Sequence, residues 1–176
     1  MKERITMSKI ACILTDMFED IEYKAPVKAF KDNGHEVVTM EKEQGKKIKG
    51  KNKESKVTID ASIDDVNPDE FDALFIPGGF SPDQLRADDR FVAFAKHFMD
   101  VKKPVFAICH GPQLLITAKA LEGRKATGFK SIHVDMEYAG ALVQDEEVVV
   151  CNNQLVTSRE PKDIPAFNKE ALALLK

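Results

Sequence analysis

Pro104-Val-Phe-Ala-Ile-Cys109-His110-Gly111-Pro112 is the stretch that decides the fold. An apolar run ends on a cysteine, small residues turn the chain, and a proline suits the first turn of a helix. This is the cysteine form of a nucleophile elbow, where a sharp strand-to-helix turn lifts one side chain above a sheet. The same turn leaves the sulfur at a helix N-terminus, where the macrodipole favours an anion. A thiolate with a depressed pKa is therefore expected at Cys109. His110 follows directly and is a candidate general base and acid, provided its imidazole curls back to the sulfur.

Working outward, short apolar runs alternate with amphipathic stretches. Ile10–Leu14, His35–Met40, Phe71–Ile76 and Pro104–Cys109 read as buried strands. Val148–Val150 and Gln154–Thr157 read as later strands around an Asn152-Asn153 turn. Helices are predicted over Glu22–Asn33, capped by Gly34, and over Asp89–Val101, Gly111–Leu121 and Ala166–Leu175. Phe91, Phe94 and Phe98 form a helical stripe, read as core or dimer contact. The alternation predicts an α/β fold with a mostly parallel sheet covered by helices on both faces. Ligands of such sheets bind beyond the carboxyl ends of the strands, so the exits after Leu14, Ile76 and Ile108 are the places for chemistry.

At the second exit, Pro77-Gly78-Gly79-Phe80 puts flexible backbone where N–H groups can meet a substrate oxygen. Gly78 and Gly79, with the N–H of His110, are the candidate oxyanion hole. At the first exit, Glu19 reaches the sulfur if the two strands are neighbours, and a neutral carboxyl there would donate to the thiolate. The plainer role for Glu19 is as a cap or first-turn acid of the helix that follows. Cys12, in mid-strand, and Cys151, at a strand end, read as structural. Glu41–Lys56 holds seven lysines and three glutamates, +4 against −7 for the rest of the chain, and reads as a solvated hairpin or edge device.

Composition sets the class. The chain has 176 residues, enough for one domain, and 43% are hydrophobic, enough for a core without staples. Lys and Arg number 26 against 29 Asp and Glu, which argues against nucleic acid or a membrane surface as partner. Three cysteines without a C-x-x-C pair argue for a reducing, cytoplasmic setting. The first apolar run is five residues, too short for a signal peptide or a span. Met7 is a candidate original start, which makes residues 1–6 a disordered tail before a single domain over 7–176. The four histidines lack metal-ligand spacing, and no G-x-G-x-x-G or G-x-x-x-x-G-K-[ST] occurs. Neither a metal nor another cofactor is expected.

Phe18-Glu19-Asp20-Ile21-Glu22-Tyr23, Ile76-Pro-Gly-Gly79-Phe-Ser-Pro-Asp83, Ala107-Ile-Cys-His-Gly-Pro-Gln113 and Thr157-Ser-Arg159 together resemble the PfpI intracellular-protease family. That family lies within the superfamily of the parkinsonism-associated protein deglycase, and its close members are often labelled general stress proteins. The resemblance runs from about Ser8 to the C-terminus. It implies a flavodoxin-like three-layer α/β/α sandwich and a homodimer or larger homo-oligomer. It also implies Cys109 as nucleophile, Glu19 hydrogen-bonded to it, and the Gly79 and His110 backbones as oxyanion hole. In protease members a neighbouring subunit's carboxylate completes a Cys-His-Glu triad. The matching position here is Asp83, with a reach one methylene shorter. Glu160 replaces a usually uncharged residue, and nothing in the sequence explains it. The late His-x-Glu pair of related glutamine amidotransferases is only approximated by His133-x-Asp135, in a different context, which argues against glutaminase chemistry.

Three functions follow. The first is a cofactor-independent cysteine enzyme of stress defence acting on reactive carbonyls or glycated groups, of deglycase or glyoxalase type, turning methylglyoxal into lactate. The second is a peptidase or amidase with a Cys109-His110-Asp83 triad across a subunit interface, acting on short peptides. The third is a non-enzymatic redox sensor in which Cys109 is oxidised selectively.

Overall fold

The computed structural model describes residues 7–175, so the expected tail over residues 1–6 lies outside the described residues. In chain order the elements are β1 (Lys9–Ile13), α1 (Asp20–Asp32), β2 (Glu36–Glu41), β3 (Lys47–Lys49), β4 (Lys56–Thr58), β5 (Ala61–Ser62), β6 (Ala73–Ile76), α2 (Ser81–Leu85), α3 (Asp89–Asp100), β7 (Val105–Ile108), α4 (Pro112–Thr117), β8 (Lys125–Ala126), α5 (His133–Tyr138), β9 (Leu142–Val143), β10 (Val149–Cys151), β11 (Leu155–Ser158) and α6 (Ile164–Leu174). Seven strands make the main sheet, in the order β10-β11-β7-β6-β1-β2-β5. Every pairing in it is parallel except β10 with β11.

The pleat explains both layers. Ala11 and Ile13 of β1, Leu74 and Ile76 of β6, and Val105 and Ala107 of β7 face one core with Phe91, Phe98 and Leu114. Their alternates Ile10, Cys12, Phe75, Phe106 and Ile108 face the other, with Val27 and Phe30 of α1 and Phe167 of α6. Phe30 packs its ring 5.6 Å from that of Phe75 and 5.8 Å from that of Phe106. Burying a ring of this size contributes roughly 1.5–3 kcal/mol. The result is the expected three-layer α/β/α sandwich. Asn152 and Asn153 both take positive φ in the three-residue connection between β10 and β11, which lets Gln154 N–H bond back to the Cys151 carbonyl.

The sequence reading did not name the short elements α2, α5, β5, β8 and β9, and α6 begins two residues earlier than it indicated; two further differences bear on the site. The helix after the elbow stops at Thr117, because Lys119 turns to positive φ and Ala120 N–H bonds back to the Leu115 carbonyl. α1 begins at Asp20, two residues earlier than periodicity indicated, which brings Glu22 inside its first turn.

The Lys-rich insert is a hairpin, β3 with β4, but its tip is not free in solvent. The buried Asp20 carboxylate accepts the backbone N–H groups of Asn52 (2.9 Å), Glu54 (3.1 Å) and Ser55 (2.8 Å). Met17 N–H bonds the Lys49 carbonyl and Lys51 N–H the Phe18 carbonyl, both at 2.8 Å. Hydrogen bonds to a charged acceptor are worth about 1.5–3 kcal/mol each, and N–H groups left behind would be unpaired. Asp20→Ala is therefore expected to undock the tip. Limited trypsin digestion should then cut after Lys51 and Lys53 well before the folded core, whereas the wild-type loop resists at the same enzyme ratio.

Candidate active site

In the sheet, chain order runs outward from β1 to β2, then crosses to β6 and continues the other way to β7 and β11. That reversal opens a crevice at the carboxyl ends of β1 and β6. The loops after β1, β6 and β7 meet there. Phe80 N–H bonds the Met17 carbonyl (2.9 Å), Glu19 N–H bonds the Gly78 carbonyl (3.1 Å), and Phe18 pairs with Gly79 as an isolated bridge.

Cys109 sits at the turn with φ +61°, a conformation that costs a non-glycine residue energy and recurs at nucleophile elbows. The surroundings hold it there: its N–H bonds the Ser158 carbonyl at 2.9 Å, and its carbonyl accepts Phe129 N–H at 2.8 Å. The His110 ring does curl back, placing Nδ1 3.3 Å from Sγ, and it packs on Phe129 with centroids 4.9 Å apart. Burial lowers the His110 pKa, Lys51 lowers it further, and Asp83 opposes both. A neutral imidazole at pH 7 follows.

The carboxyl at the sulfur is that of Glu22, not Glu19. Glu22 lies on the buried face of α1 with Pro26 and Phe30, and its side chain points back toward the helix N-terminus, under Gly78. Only glycine fits at position 78. A Cβ there would overlap the Glu22 carboxyl and come within 2.8 Å of the Cys109 Cβ. Burial first, then the nearby Glu19, push the Glu22 pKa up to about 8, against the pull of Cys109, Lys51 and Gly78 N–H. Neither Glu22 oxygen has an aligned hydrogen-bond partner. Such a buried orphan demands an explanation, and a protonated acid waiting for a reacting group supplies one.

The thiol differs from expectation as well. Burial and the neighbouring Glu22 raise the Cys109 pKa, and the N–H groups of Gly79 and His110 lower it only in part. The helix terminus cannot offset both costs, since the sulfur shares its pocket with an acid. The N–H groups of Gly79 and His110 therefore act on the sulfur itself, whereas the sequence reading placed them against a substrate oxygen. Gly78 is set apart from them, because it lies against the Glu22 carboxyl.

Glu19 faces outward from the Ncap position of α1 and makes no cap bond. Its Oε2 pairs with Lys51 Nζ at 2.5 Å, and its Oε1 accepts from Asn52 Nδ2 at 2.9 Å. Asp83 is exposed and lies 3.9 Å from Arg86 NH1; it touches His110 only through its field. Cys12 and Cys151 are buried, with no comparable turn. His133 Nε2 lies 2.7 Å from the Gly128 carbonyl. Among the described residues no group of His, Cys, Asp or Glu could hold a metal ion, and no helix is long and apolar enough to cross a membrane.

Sequence reasoning missed Glu22, Lys51 and Asn52. Glu22 carried a signal: extending the buried stripe of Phe30 and Pro26 back by four residues reaches it. Lys51 carried none, since nothing local separates it from its six neighbouring lysines.

Known proteins are similar to this chain in sequence. General stress protein 18 of Bacillus subtilis (strain 168) is 71% identical over 168 residues, 96% of this chain and 98% of that protein. Protein/nucleic acid deglycase 2 of Escherichia coli (strain K12) is 59% identical, covering 95% of this chain and 97% of its own length. Putative cysteine protease YraA of Bacillus subtilis (strain 168) is 58% identical, covering 96% and 98%. With residues 8–174 matching the model of the DJ-1/PfpI family, the chain belongs to that family.

Proposed function

We propose that this protein is a cofactor-independent cysteine enzyme acting on reactive carbonyls and early glycation adducts, with Cys109 as nucleophile and Glu22 as the acid–base group. The observation that carries this reading is the Glu22 carboxyl: buried, without an aligned partner, poised near pH 8 and set against the sulfur. A general acid–base works best with its pKa close to working pH. The name of the Escherichia coli relative, a deglycase, supports the substrate class.

With methylglyoxal, sulfur attacks the aldehyde carbon in the form of the enzyme whose Glu22 is ionised. The thiol proton passes to Glu22 and on to the oxyanion that the Gly79 and His110 N–H groups stabilise, giving a neutral hemithioacetal and an ionised Glu22 again. Glu22 or the neutral His110 then takes the proton from that carbon, and the ketone oxygen gains one to give an enediol. Reprotonation at the second carbon leaves a lactoyl thioester. Water cleaves it to lactate and regenerates the thiol, so aldehyde, ketone and one water are accounted for. Addition of the same thiol to a carbonyl–amine adduct would release the amine, the first step of deglycation.

The test counts lactate formed from methylglyoxal by wild type with verified free thiol. Sustained lactate release supports the reading. Loss of methylglyoxal without lactate, which thiols and amines produce by reversible addition, overturns it.

A peptidase reading has its own support, the 3.3 Å Cys109–His110 contact and the name of the second Bacillus subtilis relative. It needs the partner's Asp83, since this chain's own Asp83 makes no contact with His110. The exposed Met17, Ile21 and Phe80 beside the site offer such a dimer an apolar seam. Peptide hydrolysis that disappears with Asp83→Asn while lactate release persists would favour this second activity.

A further inference from the structure

We propose that Lys51 is a positioning residue for Cys109: held by Glu19 on the Asp20-anchored hairpin tip, its ammonium supplies the positive charge that favours the anionic sulfur and the oxyanion formed after attack. The proposal rests on the reading of Cys109 as nucleophile, but not on any substrate.

The backbone is set first. Asp20 gathers three N–H groups of the tip, and Lys51 N–H itself bonds the Phe18 carbonyl. Gly50 makes this approach possible, because a Cβ at that position would overlap the Asp20 carboxylate. The side chain is set next. Glu19 holds Nζ at 2.5 Å, and Asn52 holds the other Glu19 oxygen, so a four-carbon stem that would otherwise wander is fixed at the mouth of the site.

The tip is joined to the sulfur through the backbone: Lys51 N–H bonds Phe18, Phe18 bridges Gly79, and Gly78 beside it lies against the Cys109 Cβ, so the ammonium's field reaches Cys109, Glu22 and His110 together. The charged and titratable groups around the sulfur come from four elements: Glu22 of α1, Glu19 of the loop before it, His110 ahead of α4, and Lys51 of the hairpin. Asp83 of α2 faces His110. At pH 7 Glu22 is protonated and His110 is neutral, so neither offsets a charge that develops on sulfur or substrate oxygen. Lys51 does, and Glu19 tempers it.

Alkylation of Cys109 by iodoacetamide, followed by mass spectrometry of its peptide across pH, isolates the effect from turnover. Lys51→Met is expected to slow the reaction at pH 7 about tenfold and to raise the midpoint of the rate–pH profile by about one unit. Lys51→Arg should restore most of the rate. Glu19→Gln, which frees the Lys51 stem but leaves its ammonium and removes a nearby negative charge, should slow alkylation much less than Lys51→Met. Thermal melts confirm folding, which the backbone anchoring at Asp20 should preserve in all three. An unchanged profile in Lys51→Met, or equal slowing by Lys51→Met and Glu19→Gln, overturns the proposal and reduces the pair to a structural brace. A wild type that alkylates as described but forms no lactate overturns the carbonyl reading and leaves this proposal standing.

Discussion

Cys109→Ser is expected to fold normally, keep its affinity for carbonyl compounds within a few fold, and lose at least about a thousandfold in lactate formation. The substitution changes one atom. Both residues are small enough for the elbow, and the N–H bond to Ser158 and the carbonyl bond to Phe129 are backbone contacts that survive it. The Gly79 and His110 N–H groups also remain, so a carbonyl oxygen still finds its donors. What disappears is the polarisable nucleophile, because a serine hydroxyl beside a protonated Glu22 ionises far less readily than a thiol. The measurement is lactate per enzyme over many turnovers, with melting temperature as the control. Retained turnover in Cys109→Ser would move the nucleophile elsewhere, for instance to a bound water activated by Glu22. Residual activity in Cys12→Ser and Cys151→Ser should equal wild type, since both sulfurs are buried away from the crevice.

The elbow and the sheet were legible because each is written in local chemistry. A strand buried on both faces must be apolar throughout, and a chain that turns sharply into a helix needs small residues and a proline where Gly111 and Pro112 stand. The candidate oxyanion donors could be read as a pair of exits, but sorting Gly78 from Gly79 required knowing which glycine the buried acid lies against. Glu19 and Glu22 are one helical turn apart, and the choice between them turned on where α1 begins. Starting the helix at Glu22 leaves Glu19 in a loop free to reach the sulfur. Starting it at Asp20 puts Glu19 at the Ncap, facing the hairpin, and Glu22 on the buried stripe. Helix starts are the least determined feature of a sequence reading, so the acid was misplaced by one turn. The hairpin contact was illegible for another reason: a tertiary docking between residues some thirty positions apart leaves no periodicity to read. Asp20 stands in the first turn of α1 like any helix-start acid, although its carboxylate organises the whole tip.

Glu22→Gln separates the acid's chemical role from its place in the packing. The amide keeps the shape beneath Gly78 but cannot accept and return a proton. Turnover of methylglyoxal is expected to fall about 10²–10⁴-fold. The pH profile carries the sharper test. In wild type, the rate should climb as Glu22 loses its proton near pH 8, an apparent value that belongs to the coupled acid and thiol. In Glu22→Gln that rise should vanish, and in Glu19→Gln it should remain. Stability should move the opposite way. The Glu22 pKa is raised by folding, from an ordinary value near 4.5 to about 8, so its stabilising contribution is complete below pH 4.5 and fades as pH climbs through 8. That amounts to several kcal/mol, on the order of 4–5, lost between pH 5 and 9 as the buried carboxyl is forced to ionise. Glu22→Gln has no such group. Its melting temperature should therefore overtake that of wild type as pH rises, with little difference near pH 5. An inactive variant whose stability tracks wild type at every pH would mean that Glu22 ionises freely in the folded protein, and the buried acid at the sulfur would then have to be given up.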